Sequence, residues 1–97
     1  MPKQMSDAEI QQNVRIWITQ KMADGQTRAR AFGDIIKNAK KNVTTLSQQI
    51  QDKRAALKGV DPKVIEEALE PFYITSHREE RILVNANTVQ DSEWAPA

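Results

Sequence analysis

The stretch Thr27–Lys58, TRARAFGDIIKNAKKNVTTLSQQIQDKRAALK, decides how this chain folds. Spacings of three and four residues alternate along Ala29, Phe32, Ile36, Ala39, Val43, Leu46, Ile50, Lys53 and Leu57, and only Lys53 among them is neither apolar nor alanine. That alternation places one apolar seam along an α-helix. No proline lies between Lys3 and Asp61, so nothing forbids a helix from about Thr27 to Lys58, on the order of 48 Å long. Such a helix outreaches a 97-residue globule. It has to lean on the rest of the chain or on another protein.

The flanks read as further helices. Ser6-Asp7-Ala8-Glu9 is a capping box, with Met5 and Ile10 at the two staple positions around it. Ile10, Val14, Trp17, Ile18 and Met22 then share one face, Ile16 lies off it, and Asp24-Gly25 supplies a stop. The first helix is therefore expected over residues 7–23. Gly33 weakens the long helix by up to about 1 kcal/mol relative to alanine and suggests close packing there. Asn42, Val43, Thr44 and Thr45 are poor helix formers and mark where a bend would fall. Gly59 ends the helix. Val60-Asp61-Pro62 starts a third, with Asp61 as cap and Val60 stapling onto Ile65. Val64, Ile65, Ala68 and Leu69 form its inner face, and Pro71 is expected to stop it after about nine residues.

Two readings stay open beyond Pro71. Ser76-His77-Arg78-Glu79 is a second capping box, leading into Ile82, Leu83, Ala86 and Val89 at helical spacing. Phe72–Thr75 and Arg81–Val84 also match two strands of a β-hairpin, which would need a helix to cover it. The expected architecture is all-α: a small domain built on a helical hairpin with one long helix, closed by a short C-terminal helix or that hairpin. Helix 1 is expected antiparallel on the first half of helix 2. Residues 1–87 form the single domain, and 88–97 a flexible acidic tail.

Composition narrows the function classes. The 97 residues make one modest core, and the absence of cysteine excludes disulfides, thiolate chemistry and Cys-based zinc sites. Apolar runs reach only three residues, against about 20 for a membrane span, so a soluble, cytoplasmic protein with no membrane association is expected. The net charge of +1 conceals an asymmetry. Residues 1–60 hold eleven basic and five acidic side chains, residues 61–97 three and eight. Charge separation of this kind bears on association more than on fold.

No pattern fixes a reaction. His77, the only histidine, lacks the nucleophile and orienting carboxylate of a catalytic set, and His77-Arg78-Glu79-Glu80 matches no metal-ligand spacing. Glu66-Glu67 and Glu79-Glu80 are adjacent pairs whose members point about 100° apart, while Glu66 and Glu70 share a solvated face. Gly25, Gly33 and Gly59 are too dispersed for a phosphate loop. Asn42-Val43-Thr44 is a chance match to a glycosylation acceptor. No catalytic residue, metal ligand or cofactor is assigned, and the chain is read as a non-enzyme.

The basic stripe carries more. Arg30, Lys37, Lys40, Lys41, Arg54 and Lys58 flank the seam, and with Arg28 and Lys53 they face only Asp34 and Asp52 as acids between Gln26 and Lys58. Such a face can follow nucleic-acid phosphates or an acidic protein surface, but Phe32 is its only aromatic, so it offers no stacking platform. Trp94 within Asp91-Ser92-Glu93-Trp94 is either a binding anchor in the tail or a cover over Trp17 and the helix 1–helix 2 groove. Pro71, at an exposed helix exit, is a candidate for isomerisation by a prolyl isomerase, with the helix stop as the plain alternative. Ile50 and Leu57 lie on the part of the seam that a nine-residue third helix leaves bare. Arg30, Lys37, Lys40, Lys41, Ile50, Arg54, Leu57, Lys58 and Trp94 are therefore the expected partner-binding residues.

In its size and its lack of enzymatic motifs the whole chain resembles the small accessory proteins that lambdoid bacteriophages express to redirect host machinery, in particular the anti-RecBCD proteins. No single motif carries that resemblance, so it transfers no residue role. It implies a non-enzymatic protein that binds a host recombination nuclease and alters its activity in DNA recombination. A nucleic-acid-binding regulator using the basic face of the long helix is the alternative.

Overall fold

Ser6 does what its sequence position requires. In the computed structural model, which describes residues 5–96, its hydroxyl accepts from the backbone N–H of Glu9 at 3.2 Å, and the Glu9 carboxylate returns to the N–H of Ser6 at 3.5 Å. This box opens α1 (Asp7–Ala23), which ends at Asp24 with Gly25 at φ 98°, a left-handed conformation that glycine takes without a Cβ clash. Thr27 caps α2 (Arg28–Ala56) by accepting from Arg30 N–H at 3.2 Å. Gly59, at φ 90°, turns the chain into α3 (Pro62–Asp91), where Asp61 accepts from Lys63 N–H at 2.9 Å. All three elements are helices, and no strand occurs among the described residues.

The third helix corrects the expectation most. It has 30 residues, contains Pro71 in its interior, and absorbs the whole 72–87 segment, so there is neither a stop at Pro71 nor a β-hairpin. An interior proline removes one backbone hydrogen bond and costs about 3 kcal/mol. Two features make it tolerable. The Pro71 ring lies on the exposed surface, and beyond it Phe72, Ile82, Leu83, Ala86 and Val89 all gain cover, which a chain that stopped at Pro71 would forgo. The Ser76 box goes unused for the same reason. A helix already propagating from Pro62 satisfies the N–H of Glu79, and Ser76 becomes a half-buried mid-helix residue. With α3 continuous, Pro71 is no helix exit, and the expectation of an isomerisable bond there loses its structural premise.

Contacts at both ends fix α2 and α3 as antiparallel neighbours. At one end the Arg28 guanidinium donates to the carbonyls of Gln90 at 2.9 Å and of Ser92 and Trp94 at 3.2 Å. At the other, Arg54 lies 3.4 Å from Glu66 and Lys53 sits 5.1 Å above the Phe72 ring. The pair gives the molecule its length in a 55 × 25 × 20 Å outline. Helix α1 packs across the Arg28 end, against both neighbours and not on α2 alone. Its polar ties run to α3: Gln11 to Asn85 at 2.9 Å and Asp7 to Arg81 at 2.9 Å.

The core therefore sits at one end. Ile10, Val14 and Ile18 from α1, Ala31, Phe32 and Ile35 from α2, and Ala86 and Val89 from α3 form a single buried cluster. Val89 is inside it and α3 reaches Asp91, so the domain passes the boundary expected at residue 87. Trp94 is half-buried against the same cluster, which corresponds to the fold-back alternative. Residues 1–4 of the expected domain and 97 of the expected tail lie outside the described residues.

Gly33 is not a close-packing position. It is exposed, and a Cβ added there meets nothing within 4 Å. Gly33→Ala is therefore expected to stabilise the fold by about 0.5–1 kcal/mol through lower unfolded-state entropy, read as a higher urea midpoint at unchanged m-value.

Candidate functional site

Beyond the reach of α1 the molecule is only two helices thick. In this far half, from about Val43 to Phe72, Leu69 is the one apolar side chain fully removed from solvent. Val43, Leu46, Ile50 and Leu57 of the long seam, and Ile65 and Phe72 opposite, are each half-buried. The expectation that a nine-residue helix leaves this strip bare is corrected, because α3 runs beside all of it. Two helices still cannot surround a seam that a third helix seals at the other end. Val60, Val64, Tyr73 and Ile74 are exposed nearby in the chain, Val64 at 49% and Ile74 at 46%.

The two helices of this half carry opposite charge. Residues 43–58 hold three basic side chains (Lys53, Arg54, Lys58) and one acid, Asp52. Residues 61–72 hold four acids (Asp61, Glu66, Glu67, Glu70) against Lys63. Only one ion pair joins them among the described residues, Arg54–Glu66, and both partners are largely solvated. Arg54 also donates to the Tyr73 hydroxyl. Lys53 is no bare charge in the seam, since its ammonium covers the Phe72 ring.

The expected partner-binding residues fall into separate groups. Arg30, Lys37, Lys40, Lys41 and Arg54 are exposed along α2 and Lys58 is exposed just past its end, while Ile50 in the helix and Leu57 at its C-cap are half-buried. Trp94 belongs elsewhere, since its carbonyl binds Arg28 at the start of α2, roughly 40 Å of helix away from Leu57. Arg28 itself is no member of a free basic stripe. Besides its carbonyl partners it stacks over the Phe32 ring at 4.7 Å, which ties the C-terminal segment to the core.

A second concavity opens where α1 ends its cover of α3. It is a groove of about 500 Å³, walled by Met5, Ile10 and Trp17 on one side and Ile74, His77, Arg78 and Ile82 on the other. At its rim, buried Asn85 donates to Asp7 at 3.1 Å and Arg81 donates to the same oxygen at 2.9 Å. The Asn85 bond first, then the Arg81 bond, hold the Asp7 carboxyl below its ordinary pKa. The sequence reading missed Asn85, Gln11 and Ile35. The Ile35-Ile36 pair was the available signal: adjacent apolar residues on a helix point to two different neighbours. Among the described residues no three His, Asp or Glu side chains converge to hold a metal ion, and His77 is exposed at the groove. None of their helices is long and apolar enough to cross a membrane.

Comparison with family models, with curated proteins and with solved structures finds no match.

Proposed function

We propose that this protein is a non-enzymatic, stoichiometric protein-binding modulator of a larger host assembly. One observation supports the reading above the others: half of the molecule is a two-helix layer whose apolar seam is incompletely covered and flanked by exposed basic residues. A chain that folded only for its own sake would gain by covering that seam, as α1 does at the other end. The resemblance to lambdoid-phage accessory proteins supplies the candidate target class, a host recombination nuclease, and makes the protein an inhibitor or modifier of it.

The test is capture from a host lysate, with and without nuclease treatment, by the full chain and by an Ile50→Ser/Leu57→Ser variant. The reading expects partners that survive nuclease and fall at least about tenfold in the variant, while far-ultraviolet circular dichroism stays helical. Partners that vanish with nuclease would overturn it.

The second reading rests on the exposed Lys37, Lys40 and Lys41, which fit phosphate contact. Little duplex binding at physiological salt is expected. Tight, salt-sensitive binding abolished by Lys37→Glu/Lys40→Glu/Lys41→Glu would make the nucleic-acid regulator the better account.

A further inference from the structure

We infer that residues 92–96 form a strap latched by the Arg28 guanidinium, and that release of this single latch frees Trp94 from the core while the three-helix end stays folded. The strap lies at the opposite end of the molecule from the two-helix half and does not depend on what that half binds.

The position of Arg28 serves α3 and not its own helix. It is the first residue of α2, where a cation opposes the positive end of the helix dipole, and no acid stands in that first turn to offset it. The last turn of α3 has no basic residue of its own. Arg28 supplies the missing charge from the neighbouring helix. Its Nη2 donates to the carbonyls of Val89 at 3.4 Å and Gln90 at 2.9 Å, in the turn whose carbonyls a helix end leaves without a full set of partners. The ring of Phe32 below holds the guanidinium in that place.

The same guanidinium reaches past the helix. Nη2 donates to the carbonyl of Ser92 and Nε to that of Trp94, each at 3.2 Å. The other hydrogen bonds of residues 92–96 are local: the Ser92 N–H and hydroxyl donate to the Val89 carbonyl at 3.2 and 2.6 Å, and the Trp94 N–H donates to the Ser92 hydroxyl at 3.3 Å. Among the described residues, every hydrogen bond between the strap and another helix therefore comes from Arg28. Asp91 and Glu93 stand on either side of Ser92, and neither forms an ion pair with it. Apolar hold is limited, with Trp94 and Pro96 half-buried and Glu93 and Ala95 exposed. One side chain thus sets the balance between two states. Closed, Trp94 packs on the core cluster. Open, the acidic segment presents an exposed indole, a side chain enriched among interface anchors. Val89, buried in the cluster as part of α3, keeps its place in both.

Native-state hydrogen exchange on the full chain and two Arg28 variants tests the latch. The Ser92 and Trp94 amides report the strap, and those of Val14 and Ala86 report the core. In the unmodified chain the strap amides are expected to exchange through local opening, at least about a hundredfold more frequent than the opening that exposes the core amides. Arg28→Gln removes the fork and the charge, and is expected to speed strap exchange at least about tenfold beyond any change at Val14 and Ala86. Arg28→Lys keeps the charge without the planar fork and is expected to speed it by a smaller factor, which keeps the test decisive should the glutamine variant unfold. Strap amides that respond to neither variant overturn the latch, because packing of Trp94 alone then holds the segment. Strap and core amides that share one rate, or that accelerate by the same factor, equally overturn it, because residues 92–96 are then part of the core and open only with it.

Discussion

Phe32→Ala is expected to remove about 3–5 kcal/mol of stability, the largest loss from any single side chain in this protein. Phe32 is fully buried at the meeting of all three helices, among Ile18, Ile35, Ala86 and Val89. Truncation leaves a cavity that three packed helices cannot collapse into, and it removes the ring under the Arg28 guanidinium. A domain of this size is stable by roughly 5–15 kcal/mol, so the variant would sit near its unfolding threshold at 25 °C. Urea unfolding followed by circular dichroism reads the effect directly. A loss below about 1 kcal/mol would mean that the three-layer end is not the principal core.

Pro71→Ala is expected to act in the opposite direction, raising stability by about 1–3 kcal/mol. Pro71 interrupts the hydrogen-bond ladder of α3 because it has no N–H to give the carbonyl of Glu67, while its ring is exposed and contributes no core contact. Alanine restores the donor and brings the best helix propensity. Part of the gain is offset, since alanine leaves the unfolded chain freer than proline does. The test separates the continuous helix from the alternatives. If Pro71 ended one helix, or stood at the base of a hairpin, alanine would be neutral or harmful.

What could be read from the sequence, and what could not, follows from the range of the physics involved. Ser6, Thr27, Asp61, Gly25 and Gly59 act within one helical turn, and each helix start and stop they imply for α1 and α2 lies within two residues of its place. Pro71 and Ser76 are local signals of the same grade, and both were overridden. The gain from laying Phe72, Ile82, Leu83, Ala86 and Val89 along α2 is a long-range sum that no single window contains. Ile35 escaped the seam because α2 faces α3 along its whole length and α1 at one end only, which calls for a second stripe over its first turns. The Arg28 clamp on the end of α3 was invisible for a different reason. An arginine in a basic run looks solvated until the fold brings the carbonyls of Gln90, Ser92 and Trp94 within reach. Of the proposed partner surface, the exposure of the basic residues of α2 was legible. The half-covered state of Ile50 and Leu57 was not, since it depends on a helix three times longer than expected.

The central claim is that this chain joins a sealed three-helix end to an under-covered two-helix half, and residue-resolved hydrogen exchange tests it most directly. The chain should be diluted until its mass reads 11.0 kDa, so that nothing but its own helices protects it. Amides of Val14–Ile18, Phe32–Ala39 and Ala86–Val89 are expected to exchange only through global unfolding, and those of Leu46–Arg54 and Ile65–Tyr73 through local opening at least about a hundredfold more often. Equal protection along α2 and α3 in the monomer would contradict the account, because the far half would then be complete by itself.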